Sequence, residues 1–295
     1  MNDAIRKAEV LIEALSYIRT FRDKLTVIKL GGSAMEEPDA LKATLQDVVF
    51  METVGMRPIL VHGGGRSIDR AMKAAGLEPR KVQGRRCTDD ATLGIVVRVL
   101  REEINADIVN QIRQLGGRAV GLHSGSLQCL FGDPLVLSGD KGQPIDLGRV
   151  GQVNRVDRGL VQDFCAASVV PVIPSLAIDA EGQWLNVNAD TAAAAVAAHL
   201  KAEKLVFLTD TPGILTDRQD PSSLVRGLDD QGCRDLIARK IIDEGMIPKV
   251  EACLDSLRAG VRKTHIIDGR LRHSLLLEIY TDRGVGTQIT VASGQ

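Results

Sequence analysis

The sequence predicts an α/β protein with a mostly parallel central sheet and helices on both of its faces. Short apolar runs rich in β-branched residues, several of them bounded by glycine, alternate along the chain with longer segments of helical periodicity. Strands that alternate with helices in this way form parallel sheets that are covered on both faces. With 295 residues, the chain is long enough for one large α/β domain or for two lobes.

A set of apolar runs is expected to form the strands of this sheet. These are "LTVIKL" (25–30), "PILVH" (58–62), "RAVGL" (118–122), "VVPVI" (169–173), "KLVFL" (204–208) and "KTHII" (263–267). Helical runs are predicted at 40–54 and 66–76. A longer helical stretch starts near Thr88, which we expect to be its N-cap, with Asp89 and Asp90 in the first turn.

Two segments interrupt this alternation. Residues 128–156 are rich in Gly, Asp and Pro with short apolar pieces, which predicts a hairpin-like insertion, and residues 179–185 predict a turn between short strands. We place a lobe boundary after "PVIPS", so that residues 21–175 and 176–295 form two lobes of one continuous domain.

Residues 1–20 predict an amphipathic helix in front of the first strand. Its apolar stripe, at spacings of three and four, consists of Ile5, Ala8, Leu11, Ile12, Leu15 and Ile18. Because no strand precedes the helix, it cannot be a crossover of the sheet. The stripe lies either on the flank of its own domain or on another subunit, and the pattern alone leaves both open.

Composition excludes several classes of partner. The formal net charge is −1 and aromatic residues make up 3% of the chain, so we expect no nucleic-acid or membrane partner. The longest apolar stretch, "TAAAAVAAHL", is too short to span a bilayer. The five scattered cysteines include no C-x-x-C, which is typical of reduced thiols in a cytoplasmic protein.

The residues that end the predicted strands carry the chemistry, because ligands of parallel sheets bind beyond the carboxyl ends of the strands. "KLGGS" and "HGGGRS" both contain glycines, which let the backbone approach a ligand closely. The string "HGGGRS" also precedes a predicted helix, whose first N–H groups attract anions. Lys29 and Lys249 could each be structural. Together with the glycines they indicate a phosphate clamp, because phosphoryl transfer needs positive charge around the migrating group.

Two acidic strand ends have simpler alternatives. Asp190, in "NVNAD" before a strongly helical stretch, could be a helix N-cap or a first-turn acid. Asp210, in "LTDTPG", could form an Asx-turn. No Walker-type phosphate loop, dinucleotide G-x-G-x-x-G or zinc motif is present in the sequence.

Taken together and in order, the motifs resemble the amino acid kinase family, and within it the branch that phosphorylates N-acetyl-L-glutamate in arginine biosynthesis. The strings are "VIKLGGSAM", "PILVHGGGRSID", "GRRCTDD", "LNVNADTAAAAVA", "AEKLVFLTDTPGIL", "GMIPKV" and "HIIDGRLRHSLLLEIYTDRGVGT". The resemblance implies a three-layer αβα sandwich with an amino-acid lobe (21–175) and a nucleotide lobe (176–295). It implies ATP-dependent formation of N-acetyl-L-glutamyl 5-phosphate, with Mg²⁺ bound through the ATP phosphates.

The resemblance also assigns roles to positions. Lys29 and Lys249 match the family's transition-state lysines, Asp190 matches the acid that orients them, and Gly31 and Gly32 match glycines beside the migrating phosphoryl group. The remaining matches are the acetylglutamate-binding positions Gly64, Gly65, Arg86 and Asn186 and the nucleotide-loop positions Thr209, Asp210 and Gly213. An arginine such as Arg86 suits a bidentate pair with a carboxylate.

A regulatory hypothesis follows from the two ends of the chain. Arginine-inhibited members of the family carry an N-terminal helix that joins dimers into a hexamer, and residues 1–20 resemble it. Tyr17, His265, Glu278 and Gly284 would then contact arginine, although His265 and Glu278 would otherwise be a surface strand end and a solvated helix face. The alternatives to the leading function are another carboxylate or carbamate kinase of the family, or a non-catalytic protein on the same fold.

Overall fold

The computed structural model of the chain describes residues 2–138, 142–243, 245–281 and 284–291. Its centre is an eight-stranded sheet. In spatial order the strands are Gly227–Leu228 (β14), Thr287–Ile289 (β16), Lys263–Asp268 (β15), Lys204–Thr209 (β13), Leu25–Leu30 (β1), Arg57–His62 (β2), Val170–Pro174 (β10) and Ala119–Gly121 (β5). Neighbours are parallel except β15 and β16, which are antiparallel, so the predicted fold class is confirmed.

The helices lie on both sides of this sheet. They are α1 (Asn2–Phe21), α2 (Pro38–Thr53), α3 (Gly65–Ala74), α4 (Asp90–Arg98), α5 (Ala106–Gln114), α6 (Arg158–Ala166), α7 (Ala189–Leu200), α8 (Asp230–Ala238), α9 (Ile247–Arg258) and α10 (Ser274–Ile279). A π-helical segment, Val99–Asn105, joins α4 to α5, and short 3₁₀ turns occur at Gly32–Met35, Gly125–Leu127 and Pro221–Ser223. None of the described helices has the length and apolar character that a bilayer span requires.

The start of α4 corrects one prediction. The N-cap is Asp89, whose side chain accepts a hydrogen bond of 2.8 Å from the Thr92 amide. Thr88 instead donates its hydroxyl to the Arg86 carbonyl. Both residue types cap helices well, so composition alone could not choose between adjacent positions.

The predicted insertion contains strands of its own. Leu130–Pro134 (β6) and Val150–Val156 (β9) close a four-stranded barrel with Leu176–Ile178 (β11) and Trp184–Val187 (β12). Two small hairpins accompany it, Lys81–Val82 (β3) with Arg85–Arg86 (β4), and Leu137–Ser138 (β7) with Pro144–Ile145 (β8). The turn predicted at 179–185 connects β11 to β12, so this barrel takes strands from both sides of residue 175.

Burial on both faces explains the uninterrupted apolar strands. Along β1, Val27 packs into one core with Ile59, Val61 and Phe207, while Ile28 packs into a second core on the opposite face. Burying one such side chain contributes roughly 2 kcal/mol of transfer free energy. The carboxyl ends of β1, β2, β10 and β13 are thereby fixed at one edge of the sheet, where the strand-end motifs meet.

Candidate active site

Three charged side chains from distant parts of the sequence meet at this edge. Lys29 Nζ lies 2.8 Å from Asp190 Oδ1, and Lys249 Nζ lies 3.0 Å from Asp190 Oδ2. Lys29 is 7% exposed and Asp190 is 8% exposed. One buried carboxylate therefore holds two ammonium groups, and the site carries a net positive charge.

Local structure explains how the sequence builds this cluster. Lys29 is the fifth residue of β1, and Asp190 lies in the first turn of α7. Lys249 lies in the first turn of α9, after Pro248. A cation in a first turn is disfavoured by the helix dipole, so Lys249 needs the nearby Asp190 carboxylate.

The electrostatics of Asp190 follow from this contact. Burial alone would raise the pKa of Asp190, but the charges of Lys29 and Lys249 outweigh burial and lower the pKa to about 2. The carboxylate is therefore ionised at neutral pH. Both ammonium groups are thus paired with a charged carboxylate.

The first glycine loop is shaped by Lys29. A Cβ atom on Gly31 would lie 2.0 Å from Lys29 Nζ, so the lysine side chain occupies the space that any other residue would need. Gly32 has a φ of +64°, the left-handed region that favours glycine. Gly31 thus leaves room for the Lys29 ammonium group where it lies, and Gly32 allows the left-handed backbone conformation.

A cavity of about 220 Å³ lies between the two glycine loops and the β3–β4 hairpin. Its lining includes the predicted residues Lys29, Gly31, Gly32, Gly64, Gly65, Arg86 and Asn186. An adjoining cavity of about 430 Å³ shares the four loop glycines and extends towards α2 and α5. The structure therefore brings most of the predicted catalytic and acetylglutamate-binding residues to one cavity. Asp190 and Lys249 do not line it, but Asp190 pairs with the lining residue Lys29 and with Lys249.

Arg86 has a partner that sequence reasoning missed. Its Nη1 lies 2.5 Å from Asp69 Oδ1, and its Nη2 donates to the Gly65 carbonyl at 3.2 Å. Asp69 also lies 3.4 Å from Lys81 Nζ. Burial by itself would raise the pKa of Asp69. The charges of Arg86 and, to a smaller extent, Lys81 outweigh burial and lower this pKa. Asp69 thus ties the β3–β4 hairpin to α3 beside the cavity.

The two asparagines of "NVNAD" have separate functions. Asn188 is the N-cap of α7, and its Oδ1 accepts from the amides of Asp190 at 2.9 Å and Thr191 at 3.1 Å. Asn186 lines the cavity and donates to the Thr88 hydroxyl at 3.0 Å. The cap is Asn188, so Asp190 is free to bind the lysines, and the capping alternative for Asp190 is excluded.

The predicted nucleotide loop follows β13. Thr209 is buried and its hydroxyl hydrogen-bonds within the loop to Thr211, while the Asp210 carboxylate faces Gly32. Gly213 lines a separate, mostly apolar cavity of about 260 Å³ with Pro212, Ile214, Leu215, Ile241, Ile242 and Met246. A Cβ on Gly213 would also approach Thr287 Oγ1 to 2.6 Å, so this glycine is fixed by packing as well as by its place in the cavity.

The candidate regulatory residues lie away from this site, beside the amino ends of β13 and β15. Tyr17, Glu278 and Gly284 line a cavity of about 510 Å³, together with Lys204 and Lys263. His265 is behind the wall, where its Nδ1 lies 2.7 Å from Glu278 Oε1. The surface interpretation of His265 and Glu278 is wrong, because His265 is 1% and Glu278 7% exposed.

Charge in this cavity is unevenly distributed. Burial would raise the pKa of Glu278, but His265 and the amides of Val285 and Gly286 lower it. Burial lowers the pKa of Lys204 to about 8. Local pattern does not single out Lys204, since a lysine that begins a strand is usually solvated.

Two ammonium groups on one carboxylate, facing glycine loops at strand ends, define an enzyme of the phosphotransferase class. A model of the amino acid kinase family matches residues 24–268, and the chain belongs to that family. It is 44% identical over 98% of its length to acetylglutamate kinase from Heliobacterium modesticaldum, covering 99% of that protein. It is 46% identical over 99% of its length to acetylglutamate kinase from Synechocystis, covering 96% of that protein.

A solved structure gives a closely similar fold. N-acetylglutamate synthase from Neisseria gonorrhoeae, complexed with coenzyme A and N-acetyl-glutamate, superposes with a TM-score of 0.85 at 25% identity. The superposition covers 97% of this chain and 64% of the synthase. The predicted family is therefore confirmed by sequence and by structure.

Proposed function

We propose that this chain transfers the γ-phosphoryl group of ATP to the side-chain carboxylate of N-acetyl-L-glutamate, giving N-acetyl-L-glutamyl 5-phosphate and ADP in arginine biosynthesis. The pairing of Lys29 and Lys249 on Asp190 carries the proposal. Relatives of nearly equal length, at 44–46% identity, bear the name of that kinase, which supports the choice of substrate.

The reaction needs charge stabilisation more than proton transfer. A carboxylate is already ionised at neutral pH and is itself the nucleophile. The barrier comes from bringing two anions together and from the charge on the migrating phosphoryl group. Lys29 and Lys249 offset that charge, and the loop glycines offer backbone N–H groups to it. Asp190 keeps both ammonium groups charged and aimed.

We assign the acetylglutamate site to the 220 Å³ cavity. Arg86 would bind the α-carboxylate through the N–H groups that Asp69 leaves available, and Asn186 would bind the acylated amide. Residues 21–175 would thus supply most of the amino-acid site and residues 176–295 most of the nucleotide site. Asn186 is the exception, because β12 lies in the barrel with β9.

The nucleotide would bind beyond β13. The apolar cavity around Gly213 and Met246 suits a purine ring, and Asp210, the residue before the cavity-lining Thr211, faces Gly32. The described residues contain no group of three His, Cys, Asp or Glu side chains placed to hold a metal. We propose that Mg²⁺ would bind through the phosphate oxygens of ATP and would neutralise phosphate charge there.

Hydroxamate trapping of the acyl phosphate tests this function. With ATP and Mg²⁺ we expect product from N-acetylglutamate, and little from aspartate, glutamate or carbamate. Lys29→Met and Lys249→Met should each lower kcat by roughly 10²–10³-fold, as expected when a transition-state charge is removed. Lys42→Met, an exposed lysine on α2, is the matched control and should retain wild-type kcat.

Each alternative has its own outcome in this assay. Product from aspartate or carbamate at a comparable rate would identify another kinase of the family. No product from any acceptor would favour a non-catalytic protein. Near-normal kcat in both lysine variants would refute their assignment while leaving the substrate intact.

We further propose that arginine binds the cavity around Glu278 and inhibits the enzyme. A guanidinium would pair with Glu278 and an α-carboxylate with Lys204 or Lys263. Tyr17 brings α1 into the same cavity, which would link the effector to that helix. Glu278→Gln should raise the arginine concentration for half-inhibition at least tenfold. An activity curve that stays flat in millimolar arginine would refute the inhibition.

We also propose that the chain is a homo-oligomer, a dimer or a hexamer, and that α1 is the contact that joins dimers into the hexamer. Its apolar residues Val10, Leu11 and Ile12 are 58%, 69% and 70% exposed, and no other described element covers them. Exposed apolar patches of this kind mark interaction surfaces. Light scattering of the chain without residues 1–20 should show a smaller assembly; an unchanged mass would exclude α1 as the contact.

A further inference from the structure

His62 ends β2 and has no part in the chemistry described so far. Its side chain is fully buried directly before the three glycines of the second loop. Its Nδ1 lies 3.0 Å from the Gly63 carbonyl oxygen, and its Nε2 lies 3.0 Å from Asn105 Nδ2. A buried imidazole with a partner on each nitrogen has one defined orientation.

The partners also define its tautomer. Asn105 Nδ2 lies 3.0 Å from the Val172 carbonyl as well, so this atom is the amide nitrogen and donates to both groups. His62 Nε2 must then accept, and Nδ1 must carry the proton that is donated to Gly63. Burial lowers the pKa of His62 to about 4, which keeps the ring neutral at physiological pH.

The π-helical segment Val99–Asn105 supplies Asn105, the residue that holds the His62 ring. Asn105 is its last residue and is 1% exposed. A Cβ on Gly121 would lie 2.2 Å from Asn105 Oδ1, so the amide fits against bare backbone. A Cβ on Gly64 would lie 2.5 Å from Ile104 Cδ1 and 2.8 Å from Leu100 Cδ2. The glycine loop therefore rests directly on this segment, and π-bulges of this kind are frequent at functional sites.

The contact between His62 and Gly63 also sets the orientation of the Gly64 N–H group. In a planar trans peptide the C=O and N–H groups point in opposite directions. The Gly63 carbonyl faces the buried His62 ring, so the Gly64 N–H faces away from it, towards the two cavities that Gly64 lines. Within the described ranges, no protein acceptor binds this N–H.

We propose that His62, held by Asn105, is a positioning residue that fixes the Gly63–Gly64 peptide with its N–H directed at an anionic oxygen of the bound acceptor. The proposal rests on the proposed kinase function. Rotation of this peptide would break the His62 hydrogen bond and turn a carbonyl oxygen towards the anion. His62 thus stabilises the reacting complex without touching the substrate.

Two substitutions separate positioning from packing. The amide nitrogen of asparagine can take the donor position of Nδ1, whereas the amide oxygen of glutamine can take the acceptor position of Nε2. His62→Asn should keep the donor to Gly63 and retain kcat within about threefold. His62→Gln should keep the Asn105 side, lose the Gly63 donor and lower kcat by roughly 10–100-fold, the scale for one lost anion-stabilising donor. The KM for ATP should stay unchanged in both.

The stability of both variants is measured by urea unfolding, because both remove the ring. Equal losses of kcat, or losses that follow stability, would overturn the proposal. A second measurement needs no variant: ¹⁵N spectra of histidine-labelled wild type between pH 5 and 8 should show His62 protonated at Nδ1 only. A proton on Nε2 would refute the assignment.

Failure of the kinase function is distinguishable from failure of this inference. Wild type that makes no acyl phosphate from N-acetylglutamate overturns the proposed function alone. The His62 tautomer still decides the inference in that case, together with the amide resonance of Gly64 during titration with inorganic phosphate. A Gly64 resonance that does not respond to phosphate would count against the directed N–H.

Discussion

Replacing Asp190 by asparagine tests whether one buried carboxylate holds both lysines. The substitution preserves size and removes the charge. The pKa of Asp190 falls from its ordinary 3.8 to about 2 because the lysine charges outweigh burial. That difference corresponds to roughly 2.5 kcal/mol in favour of the ionised form in the folded state. Breaking a buried ion pair by removing one partner costs about 3–5 kcal/mol, because the other charge stays buried.

We therefore expect Asp190→Asn to lower the free energy of unfolding by roughly 3 kcal/mol at pH 7, measured by urea denaturation. The stabilisation from a lowered pKa is complete above the unfolded pKa near 4 and is lost as the pH falls towards 2. The difference between wild type and variant should be constant from pH 7 to 5 and shrink by about 1 kcal/mol by pH 3.

The same variant should lose at least tenfold in kcat, because Lys29 and Lys249 would repel each other and leave their positions. Asp163→Asn, on the exposed face of α6, is the matched control and should change neither quantity. An Asp190→Asn variant within 0.5 kcal/mol of wild type, with a pH-independent difference, would refute the ion-pair reasoning. Unchanged kcat would show that Asp190 does not orient the lysines.

Three further predictions follow from single contacts and from burial. Gly31→Ala places a Cβ 2.0 Å from Lys29 Nζ and should lower kcat at least tenfold. The control Gly94→Ala meets open space and should retain wild-type kcat. Equal kcat in the two variants would contradict the steric argument. Arg86→Lys should raise the KM for N-acetylglutamate roughly 10–100-fold, because an ammonium cannot pair bidentately with a carboxylate; an unchanged KM would place the α-carboxylate elsewhere. Ellman's reagent should label only Cys87 in the native protein, because burial raises the thiol pKa of the other cysteines; rapid labelling of more than one thiol would refute their burial.

Much of the fold followed from local pattern. Strands such as β1 and β13 are buried on both faces. They therefore appear in the sequence as continuous apolar runs, which are easy to recognise as strands of a parallel sheet. The insertion at 128–156 was visible as a change in composition. The exact start of α4 was not, because Thr88 and Asp89 are both good caps and only the contact with Arg86 decides between them.

The candidate site was predictable as a set of residues but not as a network. Strand-end glycines and lysines follow from the topology of parallel sheets. Asp69 was missed, because an acid on a predicted helix is usually solvated and nothing local indicates its contact with Arg86. His62 and Asn105 were missed for the same reason, since they are 43 residues apart and meet only after β2 and the π-helical segment have packed.

The sequence by itself determined the α/β class, the family and the strand-end residues that carry charge, because these depend on periodicity and on short motifs. Only the tertiary structure decided which charges are paired. Lys29, Asp190 and Lys249 are spread over 220 residues of chain and acquire their distances from β1, α7 and α9. Likewise, only packing buried Glu278 against His265. Ion pairs and pKa values depend on distance and desolvation, and neither is written in local sequence.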